Sequence, residues 1–352
     1  MLLVGDIGGT NTRLALYNIE GAVPKRSSDI RTYSSQAFVG LTAIVERFLL
    51  ETGATCDQAV FGVAGPVDKA KGESQITNLP WLISAREMEN TLKIPKVSLL
   101  NDVESIAYGL ALPGGMQEPG DVYQLNRTYE LHPNSQPGNK ALIAPGTGLG
   151  EAILIYNDTV EGGQYLVTAT EGGHTDYAPR STFEAGLLRY LQDKFWDDSF
   201  GHISYERVCS GQGIKHIYDY LKESNGMPEN PDVARRLVQG DEPANKIISE
   251  AALSHSSELC MNTLTTFVSI LGAECGNMAL KTLAFGGIYL GGGIPPKILE
   301  KLKDGSFIAA FLNKGRFAST LIKIPVYVIL KEEPGLFGAA CYAKMMQKVV
   351  SS

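Results

Sequence analysis

Short apolar runs, separated by glycine-rich or polar turns, dominate the first third of the chain. Leu2–Val4 enters and Leu14–Tyr17 leaves the stretch Gly5-Asp6-Ile7-Gly8-Gly9-Thr10-Asn11-Thr12-Arg13. That pattern predicts a β-hairpin with a tight, glycine-rich turn. Ile30–Tyr33 follows as a third strand. Phe38, Leu41, Ile44, Val45, Phe48 and Leu49 recur at helical spacing and predict a helix over Phe38–Leu50. Ala59–Val63 is a short buried strand that stops at Gly65-Pro66, and Ser74–Thr77 is a further strand. Ser84, with Glu87 three residues on, is expected to form a capping box for a helix carrying Met88 and Leu92. Val97–Leu100 is a compact apolar strand ending at Asn101-Asp102, and Val103–Leu112 has helical spacing. Three strands followed by alternating helices and strands predict an α/β domain.

The segment Pro113–Asn139 is rich in proline, glycine and polar residues, as expected of a connection between two packed units. Then the opening pattern returns. Ala141–Ala144 enters the turn Pro145-Gly146-Thr147-Gly148-Leu149-Gly150, and Glu151–Asn157 leaves it. Both outgoing strands close on Tyr-Asn, at Tyr17-Asn18 and at Tyr156-Asn157. This internal repeat predicts two halves of similar topology. Tyr165–Thr170 is a strand that ends in Glu171-Gly172-Gly173-His174. Residues 182–280 read as largely helical, with breaks near Asp198–Ile203, Gly211–Gly213, Asn225–Pro231 and Gly240–Pro243. Ile288–Leu290 is a strand before Gly291-Gly292-Gly293, and Pro295-Pro296 suit the first turn of a helix. Val326–Leu330 is another strand, and Gly335-Leu336-Phe337-Gly338-Ala339-Ala340 opens a small-residue helix suited to close packing.

Composition narrows the function classes. A length of 352 residues suggests two domains, and 44% hydrophobic residues supply an ample core. No apolar run approaches the length of a membrane span, and Asp6 interrupts the apolar N-terminus, so no secretory leader is expected. The net charge of −7 argues against a nucleic-acid partner. Five scattered cysteines with no C-x-x-C fit free thiols in a reducing cytoplasm.

The two glycine turns carry the first candidate chemistry. Successive backbone N–H groups in such a turn form an anion-binding concavity, and glycine admits close approach of a ligand. Asp6 would repel a bare phosphate, but Mg²⁺ bridges a carboxylate and phosphates. Asp6 is therefore a candidate Mg²⁺ holder through water, with Thr10 and Asn11 as side-chain donors. Two such turns, one from each half, would grip a nucleotide from both sides. Neither G-x-x-x-x-G-K-[ST] nor a dinucleotide fingerprint is present.

The ordered set of Gly5–Arg13, Asn101-Asp102, Pro145–Gly150 and Gly291–Gly293 resembles the phosphate loops, connecting segment and adenosine loop of the actin-like ATPase superfamily. Within it, Leu100-Asn101-Asp102, Glu171-Gly-Gly-His174 and Glu206-Arg-Val-Cys-Ser-Gly211 resemble the bacterial ATP-dependent glucokinases. The resemblance spans nearly the whole chain. It implies two ribonuclease-H-like α/β domains with a cleft between them, residues 1–110 plus 335–352 and residues 111–334. It also implies ATP-dependent phosphorylation of D-glucose at the 6-hydroxyl, in the cytoplasm, by a homodimer. Asp102 would accept the hydroxyl proton; a capping aspartate at a helix start is the competing reading, and the two are compatible. Asn78, Asn101, Asp102, Glu171, His174 and Glu206 would bind the sugar, although Asn78 equally suits a turn. Gly5, Asp6, Ile7, Gly8, Gly9, Thr10, Asn11, Gly146, Thr147, Gly148, Gly291, Gly292 and Gly293 would bind the nucleotide. A related repressor/kinase family pairs a similar histidine with a cysteine cluster that binds zinc. Here Thr175–Arg180 follows without a cysteine, so no structural zinc is expected. The competing functions are phosphorylation of another hexose or an N-acetylhexosamine, and an actin-like nucleotide switch with no sugar substrate.

Overall fold

The opening residues form the predicted hairpin. Leu2–Ile7 pairs antiparallel with Asn11–Asn18, placing Asp6 opposite Arg13. In this computed structural model, residues 1–76, 79–117, 119–126, 138–160 and 162–350 are described. Asn78 lies outside them, as does Thr77. The chain divides into two units: Met1–Val122 with Asn157–Ala169 and the chain from Lys331, and Tyr123–Tyr156 with Thr170–Leu330.

In the first unit, Leu2–Ile7 also pairs in parallel with Gln58–Val63, which pairs in parallel with Lys96–Asn101. Lys25–Arg26 and Arg31–Ser34 flank the other side of the hairpin. The alternation of one antiparallel hairpin and two parallel strands buries Leu3, Ile7, Leu14, Phe61 and Val63 against the helix Leu41–Thr52. That helix starts three residues later than its hydrophobic spacing suggested. Gly40 is extended at its N-terminus, and Phe38 instead packs edge-on against Tyr33 at 6.0 Å. Ser84 does precede the helix Ala85–Leu92, but its side chain makes no cap hydrogen bond, so the capping box does not form. The helix Asp102–Ala111 packs on the C-terminal helix Pro334–Val350. A Cβ at Gly338 would fall 1.8 Å from the Ser105 carbonyl oxygen, so only glycine permits this approach.

The second unit repeats the scheme. Lys140–Pro145 pairs antiparallel with Leu149–Asn157 and parallel with Gly287–Leu290, which pairs in parallel with Val326–Ile329. Each unit thus carries a hairpin followed by parallel strands, the shared ribonuclease-H-like plan. The 25-residue helix Glu258–Thr282 runs through its core with Leu264, Phe267, Val268 and Leu271 buried. Gly211 starts the helix Gly211–Glu223 and does not interrupt one; Ser210 caps it through the Gly213 N–H at 3.1 Å. A break at Ser254–Ser257, unmarked by proline or glycine, separates the helices Ala244–Leu253 and Glu258–Thr282. Among the described residues, no helix is long and apolar enough to cross a membrane.

Candidate active site

In the first unit, the turn after Ile7 is held from outside. The Gly8 N–H donates to the Asn11 carbonyl at 3.0 Å, and Ser35 Oγ donates to the Gly8 carbonyl at 2.7 Å. Ser35 also shares a hydrogen bond with Thr12 Oγ1 at 3.0 Å. Neither Gly8 nor Gly9 is left-handed, so backbone freedom is not what the turn asks of them. Close approach is: a Cβ at Gly8 would sit 3.2 Å from the Asn11 oxygen. Thr10 and Asn11 are exposed at the tip. Gly5 and Ile7 also serve the core: a Gly5 Cβ would fall 2.6 Å from Phe61, and the Ile7 side chain is wholly buried, so a nucleotide would meet these two through their backbone.

Two carboxyl groups of this unit act on each other. Burial raises the pKa of Asp6, and Arg13 at 3.2 Å draws it back. Arg13 also reaches Glu333 at 3.4 Å. The loop therefore has a fixed cation, though no lysine; that Arg13 turns toward Asp6 was not legible from residue type or spacing. Asp102 is the first residue of the helix Asp102–Ala111, and Asn101 is its N-cap. Asn101 Oδ1 accepts from the Val103 and Glu104 N–H groups at 3.0 and 3.3 Å, and its Nδ2 donates to the Gly65 carbonyl at 3.3 Å. The capping duty falls on Asn101, which also steadies the Asp102 carboxyl from the side. Asp102 Oδ1 accepts from the Val103 N–H at 2.9 Å. Burial, reinforced by the charge of Asp6, pushes the Asp102 carboxyl up to about 6 against these hydrogen bonds. A carboxyl near neutrality is matched to taking up a proton at physiological pH.

In the second unit, three segments meet at one cavity. The Gly146 N–H donates to the Gly148 carbonyl at 2.8 Å and closes the second glycine turn. The Gly211 N–H donates to the Gly146 carbonyl, also at 2.8 Å, tying the start of a helix to that turn. Gly292, with φ +76°, lies over the same turn: its Cβ would be 2.6 Å from the Pro145 oxygen. The cavity between them measures about 650 Å³, within the range of small-molecule sites. Thr147, Gly211, Gln212, Asn245, Gly293 and Lys297 are among its lining residues. The helices starting at Gly211 and Ala244 both present their N-termini here, where backbone N–H groups favour an anion. Lys215 and Lys246, also at the cavity, pair with Asp219 and with Glu242. Lys297 has no ion pair among the described residues. Gln212, Asn245 and Lys297 were not anticipated, although the helix breaks at Gly211–Gly213 and Gly240–Pro243 fall at or just before the first two.

The same unit joins three of the predicted sugar ligands, Glu171, His174 and Glu206, through one strand; Asn101 and Asp102 belong to the first unit. Glu171 and His174 lie 3.9 Å apart and are exposed, open to a ligand. They flank a short 3-10 turn whose Gly173 is pressed on the strand Leu149–Asn157: a Cβ would fall 2.0 Å from the Leu149 oxygen. Glu206 reaches the same residue from the other side, its Oε2 accepting the Leu149 N–H at 3.0 Å. The Tyr205 N–H donates to the Thr175 carbonyl at 3.0 Å, so the two turns are directly linked. Glu206 is half-buried and spends one oxygen on the strand, a structural duty that its sequence position did not reveal. A Cβ at Gly148 would lie 2.4 Å from that carboxylate, which explains the glycine.

Comparison with known proteins shows the family of the chain. A family model described as glucokinase matches residues 3–346. A glucokinase of Nostoc punctiforme is 37% identical over 356 residues, covering 98% of this chain and 99% of the relative. That of Synechocystis is 37% identical over 360 residues, covering 97% of each. A crystal structure of a glucokinase from an Antarctic psychrotroph superposes with a TM-score of 0.78 at 29% identity, covering 97% of this chain and 98% of that one. With its repeated α/β scheme and its paired glycine turns, the chain belongs to the glucokinase family.

Proposed function

We propose that this chain transfers the γ-phosphoryl group of ATP to the 6-hydroxyl of D-glucose, giving ADP and glucose 6-phosphate. Asp102 is the base in this reading. The observation that carries it is the Asp102 carboxyl: fixed at a helix start, hydrogen-bonded to the Val103 N–H, and pushed up to about 6. Phosphoryl transfer relies chiefly on positioning and charge stabilisation, and an orienting carboxylate with a raised proton affinity suits an attacking hydroxyl. Glu171, His174 and Glu206 read the sugar hydroxyls, for which carboxylates accept and a neutral imidazole both donates and accepts. Gly146, Thr147 and Gly148 cradle phosphates, and Gly291–Gly293 with Gln212 and Asn245 receive the adenosine. In the first unit, Gly8, Gly9, Thr10 and Asn11 face the phosphates.

Among the described residues, no group of three acidic, histidine or cysteine side chains forms a metal cage. Mg²⁺ needs none, since it takes one or two carboxylates and completes its shell with phosphates and water. The half-buried Asp6, whose burial disfavours a bare charge, fits that role. Bound there, the ion would offset phosphate charge. Asp6 itself holds the ion, and Arg13 orients Asp6. The same reading has the enzyme act in the cytoplasm as a homodimer, which sedimentation would test. The deciding experiment is coupled ADP release with Mg-ATP over a panel of hexoses and N-acetylhexosamines. Turnover is expected with glucose. Preferential turnover of another sugar refutes the specificity, and sugar-independent hydrolysis refutes the kinase.

A further inference from the structure

One buried carboxyl of the second unit has no part in the reaction as read above. Glu151 lies in the strand Leu149–Asn157, opposite Ile143 of the hairpin, and is 2% exposed. Its Oε1 is buried with no hydrogen-bond partner. Its Oε2 lies against Gly172: a Cβ there would fall 2.0 Å from Oε2 and 2.9 Å from Cδ. The carboxyl thus occupies the space that a side chain at position 172 would take. Gly172 and Gly173 rest on Glu151 and Leu149 respectively, so both glycines of the Glu171–His174 turn sit on one strand. Thr170 completes the seam. Its hydroxyl donates to the Glu151 carbonyl at 3.3 Å and accepts the Gly172 N–H at 3.1 Å.

A second acid lies behind. Glu274, on the helix Glu258–Thr282, is wholly buried, and its Oε1 also lacks a hydrogen bond. Asn277 Nδ2 donates to its Oε2 at 2.8 Å, and Lys281 stands 3.8 Å away. A buried ionised carboxylate without partners is costly, so the cheap state of Glu151 is the neutral acid. Burial and the charge of Glu274 act together in that direction and push Glu151 up to about 7. No stabilising salt bridge explains why a carboxyl stands at this point. Its shape under Gly172 does.

We infer that Glu151 is a positioning residue: its carboxyl fills the space beneath Gly172 and thereby sets where Glu171 and His174 stand. The inference rests on the reading that these two side chains bind the sugar. A neutral carboxamide has the same shape, so Glu151→Gln is expected to keep the glucose KM within about twofold. Glu151→Ala removes the support; a displacement near 1 Å in a binding group is enough for a loss of about tenfold or more. The glucose KM should rise by that amount, with kcat and the ATP KM changed far less. Gly172→Ala drives a methyl into the carboxyl from the other side and should also raise the glucose KM. Combined with Glu151→Ala, the methyl enters vacated space, and the double variant should bind glucose better than Gly172→Ala alone.

A purely structural role would lower the melting temperature without this KM split or the rescue by glutamine. Should Glu151→Ala fail to fold, Glu151→Asp withdraws the same carboxyl by one methylene and carries the same expectation, with Gly172→Ala read independently. Parent-like glucose KM in the alanine or aspartate variant overturns the inference, as does parent-like KM in Gly172→Ala. So does a glutamine variant as impaired as the alanine one. His174→Ala run alongside separates the two levels. If it leaves glucose KM unchanged, the sugar site itself is misread; if it raises KM while the Glu151 variants are inert, only the positioning role falls.

Discussion

Replacing Asp102 by asparagine should make the enzyme inactive and more stable at once. The carboxyl rises from an ordinary 3.8 to about 6 in the folded chain, first because it is buried and then because Asp6 is charged nearby. The folded state therefore holds the proton more tightly than the unfolded state. Stability is full below about pH 3.8, falls as pH rises toward 6, and stays reduced above it. At about 1.4 kcal/mol per pH unit the full penalty is about 3 kcal/mol. Because the side chain is part-buried and not sealed from water, solvent screening leaves roughly 1–2 kcal/mol. Asparagine keeps an oxygen to accept the Val103 N–H and carries no charge against Asp6. For a unit of this size each kcal/mol moves the melting temperature by about 2–4 °C. Thermal unfolding at pH 8 should then show the variant several degrees above the parent, with the gap narrowing as pH is lowered to 4.5. Turnover in the coupled assay should fall by about 10²-fold or more, the scale of a lost general base. The parent's kcat/KM should decline below about pH 6. A variant that melts no higher than the parent at pH 8, or a gap that widens in acid, refutes the electrostatic account. Near-parent turnover refutes the base.

Three other substitutions test the supports of the site. Ser35→Ala removes the hydroxyl that holds Gly8 and Thr12; it should cost about 1 kcal/mol and raise the ATP KM more than the glucose KM, and equal shifts in both would count against a turn-specific role. Gly292→Ala places a methyl 2.6 Å from the Pro145 oxygen at φ +76°. The left-handed backbone alone costs about 1–2 kcal/mol, so a lower melting temperature and weaker ATP binding are expected; titration with ATP checks the second. Glu206→Ala leaves the Leu149 N–H without its acceptor and should lose about 1–3 kcal/mol, whereas Glu206→Gln keeps an acceptor and should lose glucose affinity with little stability. Equal destabilisation by both variants, measured in urea, would show that the hydrogen bond to Leu149 is not what Glu206 contributes.

Much of the scaffold was legible because it rests on local periodicity. The hairpins, the parallel strands and the small-residue C-terminal helix follow from apolar spacing and glycine punctuation alone. The failures share a cause. Ser84 and Glu87 have the right spacing for a capping box, yet the serine makes no cap hydrogen bond. Phe38 has helical spacing but is taken by Tyr33. In each case tertiary packing or geometry outweighed a one-dimensional pattern. The break at Ser254–Ser257 carries no proline or glycine, so nothing in composition announces it.

The candidate site divides along the same line. The charged and amide side chains beside the glycine turns announce themselves by type as ligand contacts, whereas Gln212, Asn245 and Lys297 on the cavity wall do not. Residues that hold those groups in place do not, because their partners are remote in sequence. Ser35 reaches back to Gly8 across 27 positions, and Glu206 to Leu149 across 57. Arg13 shows the difference within one loop. In the sequence it is the last residue of the opening turn, with no role of its own; as the cation 3.2 Å from Asp6 it restrains the proton affinity of the group proposed to hold Mg²⁺. Glycine is the one residue whose type hints at such remote contacts, since an absent Cβ must be absent for a reason. Gly148, Gly172 and Gly173 each look like turn formers in the sequence, and none has a left-handed backbone. Each instead yields its Cβ space to a specific atom: Glu206 Oε2, Glu151 Oε2 and the Leu149 oxygen. The glycines around the proposed sugar site thus encode packing against carboxylates and strand backbone, which is why substituting them should act on glucose binding before it acts on the fold.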